Sequence, residues 1–318
     1  MLSSATGAVL SAANTVLASI PSPEKNSFQI GPLDIRYYAL FIIAGIIFAV
    51  IMTNRTLTRR GAERWIIIDI ALVTVPISII FARLFHVATH AGFYFQEGRE
   101  WWNPMQRDAI WNIWDGGIAI YGALIGGAIG AWLGCKWTGV RFSAFADAMA
   151  PWMLTAQALG RLGNYFNHEL FGKPTDLPWG LEIESTNSAF PIGLPEGTLF
   201  HPTFLYEIIW NVLGVFVLLW AAKKFKLQWG RLFAIYLIWY SAGRVVWESL
   251  RIDPSDIFFG IRTNVWSAIA GIVVGIIVLA LQRRHLGEEP SVYRPGRGPV
   301  AEDTGELVDL SEPEPKQA

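Results

Sequence analysis

Arg244, Glu248 and Arg251 stand at i, i+4 and i+7 in the run YSAGRVVWESLR. That spacing puts all three on one face of a helix. Ionisable groups at membrane depth are costly, so they face a cavity or a partner and mark function. Arg161 opens a second polar run, RLGNYFNHELFG, which also holds Asn164, Asn167, His168 and Glu169. Two arginines directed into an apolar interior suit an anionic head group. The planar guanidinium donates two parallel hydrogen bonds to a phosphate and stays charged while doing so. The plainer alternatives are a self-neutralising Arg244–Glu248 pair and an Arg251 that snorkels to the interface.

Three further runs carry polar or aromatic groups beside apolar segments. HPTFLYE holds His201, Tyr206 and Glu207, with Pro202 suited to a helix start and Glu207 suited to a helix N-terminus. IGPLDIRYYAL brings Tyr37 and Tyr38 to the start of an apolar segment, as interfacial anchors or cavity liners. WDGGIAIYGALIGG places Tyr121 just ahead of a glycine stripe, Gly122, Gly126, Gly130 and Gly134. Such a stripe lets a second helix approach closely, and packing is its first meaning. Arg83, in ARLFH, is one more costly charge, facing an acidic partner or the same cavity. His168 and His201 lack the spacing of a metal-binding helix, and a single cysteine, Cys135, excludes an internal disulfide framework or a CxxC motif. Neither a metal nor a cofactor is expected.

The elements that must position these groups are membrane helices. Of 318 residues, 53% are hydrophobic and 16% charged, and mean hydropathy is +0.36. A chain so apolar is all-α and polytopic. A net charge of -1 gives no reason to expect nucleic acid. Seven spans are expected, near 37–53, 65–88, 117–137, 143–161, 203–222, 231–249 and 265–282. The fourth is the least regular, since it carries Asp147, Pro151 and Gln157, and a re-entrant helix is its alternative. The basic links (Arg55, Arg59, Arg60 and Arg64; Lys136 and Arg141; Lys223, Lys224, Lys226 and Arg231; Arg283 and Arg284) all fall on one side of seven spans. The positive-inside rule then puts the N-terminus outside and the C-terminus in the cytoplasm.

The opposite side carries Trp101, Trp102, Trp111 and Trp114, and a proline-rich external loop, 164–202, expected to contain little helix. Residues 1–27 form an extracytoplasmic arm, 28–286 the membrane domain, and 287–318 a polar, acidic tail expected to be disordered. No internal repeat is evident, which counts against duplicated transporter folds.

These five runs, in this order, resemble the prolipoprotein diacylglyceryl transferase family, over about residues 28 to 282. The resemblance implies a seven-span enzyme of the bacterial inner membrane, with its site toward the extracytoplasmic side. It implies transfer of the diacylglyceryl group of phosphatidylglycerol to the lipobox cysteine thiol in the signal peptide region of a preprolipoprotein, leaving a thioether and glycerol phosphate. By motif position, Tyr38, Arg161, Asn164, Glu169, Gly172, Arg244 and Glu248 match the family's functional positions. His201 and Arg251 are added as substrate-binding candidates, and membrane lipids are expected as partners. Members often carry a histidine, in the pattern HGGLIG, where this chain has Tyr121 in YGALIG. A phenol, with an ordinary pKa near 10, is a poor base. The base is therefore open among Glu169, Glu248, Tyr121, His168 and His201, with Glu169 or Tyr121 favoured and Glu248 expected to hold Arg244. The rival classes are an anion transporter or channel and a non-catalytic lipid-binding scaffold. An intramembrane protease is disfavoured, since no GxSxG elbow is present.

Overall fold

The computed structural model describes residues 19–106, 109–114, 116–288 and 291–298. Eight α-helices are present among them. They are α1 (Tyr37–Arg59), α2 (Ile66–Thr89), the short α3 (Ala91–Tyr94), α4 (Ile120–Thr138), α5 (Phe142–Phe166), α6 (Thr203–Phe225), α7 (Arg231–Leu250) and α8 (Thr263–Leu281). The seven long ones coincide with the seven expected segments. Four of them, α1, α2, α6 and the helix beginning at Thr263, are long and apolar enough to cross a membrane. The other three are diluted by glycine (α4) or by polar groups (α5, α7). Large apolar side chains such as Leu72, Phe216 and Ile276 point outward, as expected where lipid is the solvent. Most of the N-terminal arm and of the acidic tail (1–18, 299–318) lies outside the described residues.

The chain divides into two compact units, one with residues up to 52 and 149–288, the other with 53–148 and the residues from 289 onward.

In the first unit, α6 packs on α7 and α7 on α8, and α5, α6 and α7 share a core of Ala150, Leu154, Leu218, Leu232 and Tyr236. Helix α5 stays continuous through Pro151, so the least regular expected span is a full helix. Two antiparallel hairpins feed helices directly: β1 (Ser27–Ile30) and β2 (Leu33–Arg36) lead into α1, and β5 (Ile257–Phe258) and β6 (Ile261–Arg262) lead into α8. The long loop has no helix. It carries β3 (Leu181–Glu182) paired with β4 (Leu199–Phe200) over a core of Phe171, Leu181, Ile183, Phe200 and Phe204. It is shorter than expected, because α5 continues to Phe166 and carries Arg161 and Asn164 on the helix itself.

In the second unit, α2 and α4 run antiparallel in close contact. A methyl group on Gly122 would sit 2.8 Å from the Ala82 Cα, and one on Gly134 2.9 Å from the Ile70 carbonyl oxygen. The stripe is thus a packing seam. Within the stretch expected to be disordered, residues 291–298 are instead laid down: the Arg141 Nε donates to the Tyr293 carbonyl at 2.7 Å, and the Tyr293 hydroxyl accepts from the Glu63 N–H at 2.9 Å.

Candidate functional site

The last two turns of α5 present Arg161 and Asn164, three residues apart on one face. Arg161 Nη1 donates to Asn164 Oδ1 at 3.2 Å. The chain then turns sharply, with His168 (φ 51) and Leu170 (φ 59) in the left-handed region. That turn brings Glu169 back, so that its Oε1 accepts from Asn164 Nδ2 at 2.8 Å and from Asn167 Nδ2 at 3.2 Å. Tyr38 rests its ring on Gly163; a Cβ there would lie 2.7 Å from the Tyr38 Cδ2. The glycine lets the tyrosine lie against α5 between Arg161 and Asn164 in sequence.

The opening of α6 supplies the group that joins the two predicted arginines. Glu207 is 4% exposed, and its Oε2 lies 2.7 Å from Arg161 Nη2 and 4.0 Å from Arg244 Nη1. Arg244 Nη2 in turn lies 2.9 Å from Glu248 Oε2, the i, i+4 pair expected from the sequence. Glu248 is fully buried and holds more than its helical neighbour. Its Oε1 accepts from Arg262 Nε at 2.8 Å and from Asn264 Nδ2 at 2.9 Å, and its Oε2 lies 3.7 Å from Arg251 Nη1. Burying a carboxylate costs several kcal/mol unless cations and donors surround it, and here three guanidiniums do.

Arg251 does not snorkel. It is 7% exposed, and Asp253 grips its Nε at 2.7 Å and its Nη2 at 3.0 Å. Helix α7 ends at Leu250, and Arg251 is extended, which turns its side chain along the loop instead of outward. Gly172 bridges to Arg251, and a Cβ there would lie 2.8 Å from the His201 Cβ. That position packs the loop between the ends of α6 and α7. Burial alone would raise the Asp253 carboxyl, but the Arg251 hydrogen bonds and the charges of Arg251 and Arg262 hold it below its ordinary range.

Two expected residues sit apart from this network. His201 Nδ1 is 3.2 Å from the Tyr206 hydroxyl, which also accepts from Trp179 Nε1 at 3.1 Å. His168 Nδ1 is 2.5 Å from Glu184 Oε1. Burial would raise Glu184, and its bond to His168 instead holds it low. A recess of about 490 Å³ opens there, lined by Glu24, Glu182 and Glu184 among others; neither Arg161 nor Arg244 reaches it.

Tyr121 and Arg83 belong to the second unit. Tyr121 lies in the first turn of α4, its ring 6.3 Å from that of Phe85. Among the described residues, Arg83 meets no acid. It donates to the carbonyls of Ile110 (2.7 Å), Gly116 (2.9 Å), Gly117 (3.0 Å) and Ala109 (3.0 Å), so it organises the loop before α4.

Sequence reasoning missed Arg262, Asn264 and Asp253, and read Glu207 only as a helix-terminus residue. The available signal was position: each lies at the same end of its apolar segment as the polar motifs. Among the described residues, no group of three His, Cys, Asp or Glu is placed to hold a metal.

A family model described as prolipoprotein diacylglyceryl transferase matches residues 25–281. A phosphatidylglycerol–prolipoprotein diacylglyceryl transferase of Leifsonia xyli subsp. xyli is 59% identical to the chain, over 88% of this chain and 86% of that protein. A relative of the same name from Bifidobacterium adolescentis is 44% identical over 82% of this chain and 79% of its own. One from Streptomyces coelicolor, with the suffix 1, is 41% identical over 92% and 82%.

Proposed function

The chain belongs to the prolipoprotein diacylglyceryl transferase family, and we propose that Arg161 and Arg244 grip the phosphate of its lipid substrate. The protein is a membrane enzyme that transfers the diacylglyceryl group of phosphatidylglycerol to a prolipoprotein. The observation that carries the site assignment is the Glu207 carboxylate, which ties the two arginines of separate helices into one network.

The acceptor is the lipobox cysteine thiol. The thiol gives up its proton, the sulfur attacks the glycerol carbon that bears the phosphate ester, and a C–S bond forms as the C–O bond breaks. The phosphate leaves with the electron pair, as glycerol phosphate. Negative charge therefore grows on the leaving oxygens, where fixed cations in a water-poor site are most effective. Arg161 and Arg244 have N–H groups beyond those committed to Asn164, Glu207 and Glu248, and both side chains keep some exposure, 15% and 18%. Glu169, bonded into the network through Asn164, is the group we assign to take the thiol proton. Asn164, Tyr38 and Gly172 place the lipid; Glu248 holds Arg244; Arg251, within the Glu248 network, and His201, beside Tyr206, are kept as substrate-binding residues. Tyr121 is kept as a residue that orients the lipid. The reaction so written uses no cofactor, and the enzyme has no business with nucleic acid.

The seven long helices serve as seven spans of the bacterial inner membrane, N-terminus outside. On that topology Arg161, Glu207, Arg244 and Arg262 all fall at outer ends, and the basic links between helices face the cytoplasm, with the tail. Residues 1–27 are then an external arm, and 28–286 the transferase domain.

The test is purified protein with phosphatidylglycerol and a lipobox peptide, read by mass spectrometry. The wild type gives the diacylglyceryl mass shift with no gradient or second compartment, which a transporter could not do. Arg161→Ala and Arg244→Ala lower the rate by about a hundredfold. Near-normal thioether formation by both, with the protein properly inserted, overturns the clamp.

A further inference from the structure

Helices α6 and α7 carry the same five-residue pattern, WNVLG at 210–214 and WYSAG at 239–243. The two copies meet each other. Trp210 Nε1 donates to the Trp239 carbonyl at 3.1 Å, and Trp239 Nε1 donates to the Trp210 carbonyl at 3.1 Å. The rings stack with centroids 4.4 Å apart and 18° between planes. Each indole lies over the glycine of the opposite helix. A Cβ on Gly243 would be 2.5 Å from Trp210 Cδ1, and one on Gly214 2.7 Å from Trp239 Cδ1. The arrangement is locally two-fold, built from both helices.

This lock shares its face with the arginine site. On α6 the buried positions Glu207, Asn211, Gly214, Leu218 and Ala221 form one stripe. Glu207 lies one turn before Trp210, and Arg244 directly follows Gly243. Sliding one helix by a single residue moves it about 1.5 Å and turns it about 100°. Such a slip would break both indole bonds and carry Glu207 off Arg244.

We propose that Trp210 and Trp239 are positioning residues for the transfer reaction: their reciprocal lock sets the register of α6 against α7 and so holds Glu207 at Arg244. The inference rests on the reading of Arg161 and Arg244 as the phosphate grip. A backbone carbonyl is a stricter anchor than a side chain, because it moves only with its helix. The lock uses two of them, in opposite directions.

The test is a set of mutant cycles in the phosphatidylglycerol–peptide assay. Trp210→Phe and Trp239→Phe keep a ring and lose the N–H; each lowers kcat about tenfold, the effect of a small misplacement of a working group, while KM for the lipid changes by less than about twofold. The double variant is no slower than either single, since each bond needs the other's register. In a Glu207→Gln background, Trp210→Phe adds no further loss of kcat. Should Trp210→Phe fail to insert, Gly243→Ala, which crowds the same indole, replaces it in the cycle with the same expectation. Multiplying losses in the Glu207→Gln background, or a lowered melting temperature with unchanged kcat, would overturn the lock. If Arg161→Ala and Arg244→Ala remain active, the phosphate grip has failed instead; if those two are dead and the cycles are additive, only the lock has.

Discussion

Arg83 and Arg244 are both arginines within apolar helices, and they have opposite surroundings. Arg83 is enclosed by four backbone carbonyls, with the Tyr94 ring 5.3 Å away. Nearly all of its five N–H donors are committed, and its place in the fold is that of a clasp on a loop. Arg244 meets two carboxylates, one at 2.9 Å and one at 4.0 Å, and retains donors and exposure. A membrane arginine is therefore not a site by itself. What distinguishes the two is whether the guanidinium is saturated by its own backbone or held in place by acids with part of its fork still open.

The comparison breaks most violently at Glu248. Removing one partner from a fully buried charge network leaves the others uncompensated, at about 3–5 kcal/mol. Three arginines share this carboxylate. Glu248→Ala is therefore expected to lose most of its folded, inserted protein, measured by thermal aggregation in detergent. A variant as stable as wild type would mean that solvent already screens the cluster.

Exchanging the arginines sharpens the contrast. Lysine keeps the charge but loses the planar fork. Arg244→Lys is expected to insert normally and to lose about tenfold to a hundredfold in kcat. Arg83→Lys leaves several carbonyls without a donor, at about 1–3 kcal/mol for each buried group left unsatisfied. It should therefore melt earlier, and the surviving protein should have normal kcat. Steady-state kinetics beside melting curves separate the two; a kinetic defect in Arg83→Lys would place that residue in the chemistry.

The long helices were legible because apolar runs of about 20 residues announce themselves. Their ends were not. Expected α1 stopped at 53, and the helix runs to Arg59; expected α5 stopped at 161, and the helix runs to Phe166. Hydropathy falls at the first charge, while backbone hydrogen bonding continues past it. In the site, the Arg244–Glu248 pair was readable because i, i+4 spacing is local. The bridge from Arg161 to Glu207 was not, since it depends on how α5 meets α6. The snorkelling alternative for Arg251 fails for a related reason: it assumes that the helix carries the side chain on outward, and the helix ends one residue earlier.

Acid should separate the outer rim of the network from its centre. Asp253 lies beyond the end of α7, and Arg251 and Arg262 hold its carboxyl below the ordinary range against the opposing effect of burial. Because the folded value is depressed, this stabilisation is fully present above the unfolded carboxyl value of about 3.9 and is lost as pH falls through the folded value. Asp253→Asn removes that contribution. It is expected to be less stable than wild type at neutral pH, with the difference shrinking on acidification, followed by denaturant melts at several pH values. A constant difference would mean that the carboxylate charge contributes nothing there.

Tyr121 offers the smallest effect and the finest comparison. The arginine network holds Glu169 through Asn164, whereas Tyr121 stands in the second unit beside Phe85. If proton removal belongs to Glu169, the phenol is dispensable to the chemical step. Tyr121→Phe is then expected to retain kcat within about threefold, far less than the loss from removing a working acid–base group, and to act on KM for phosphatidylglycerol. Glu169→Gln should do the reverse, lowering kcat with little change in KM for phosphatidylglycerol. Were Tyr121→Phe the inactive variant and Glu169→Gln the active one, the proton-accepting role would pass from the arginine network to the opening turn of α4.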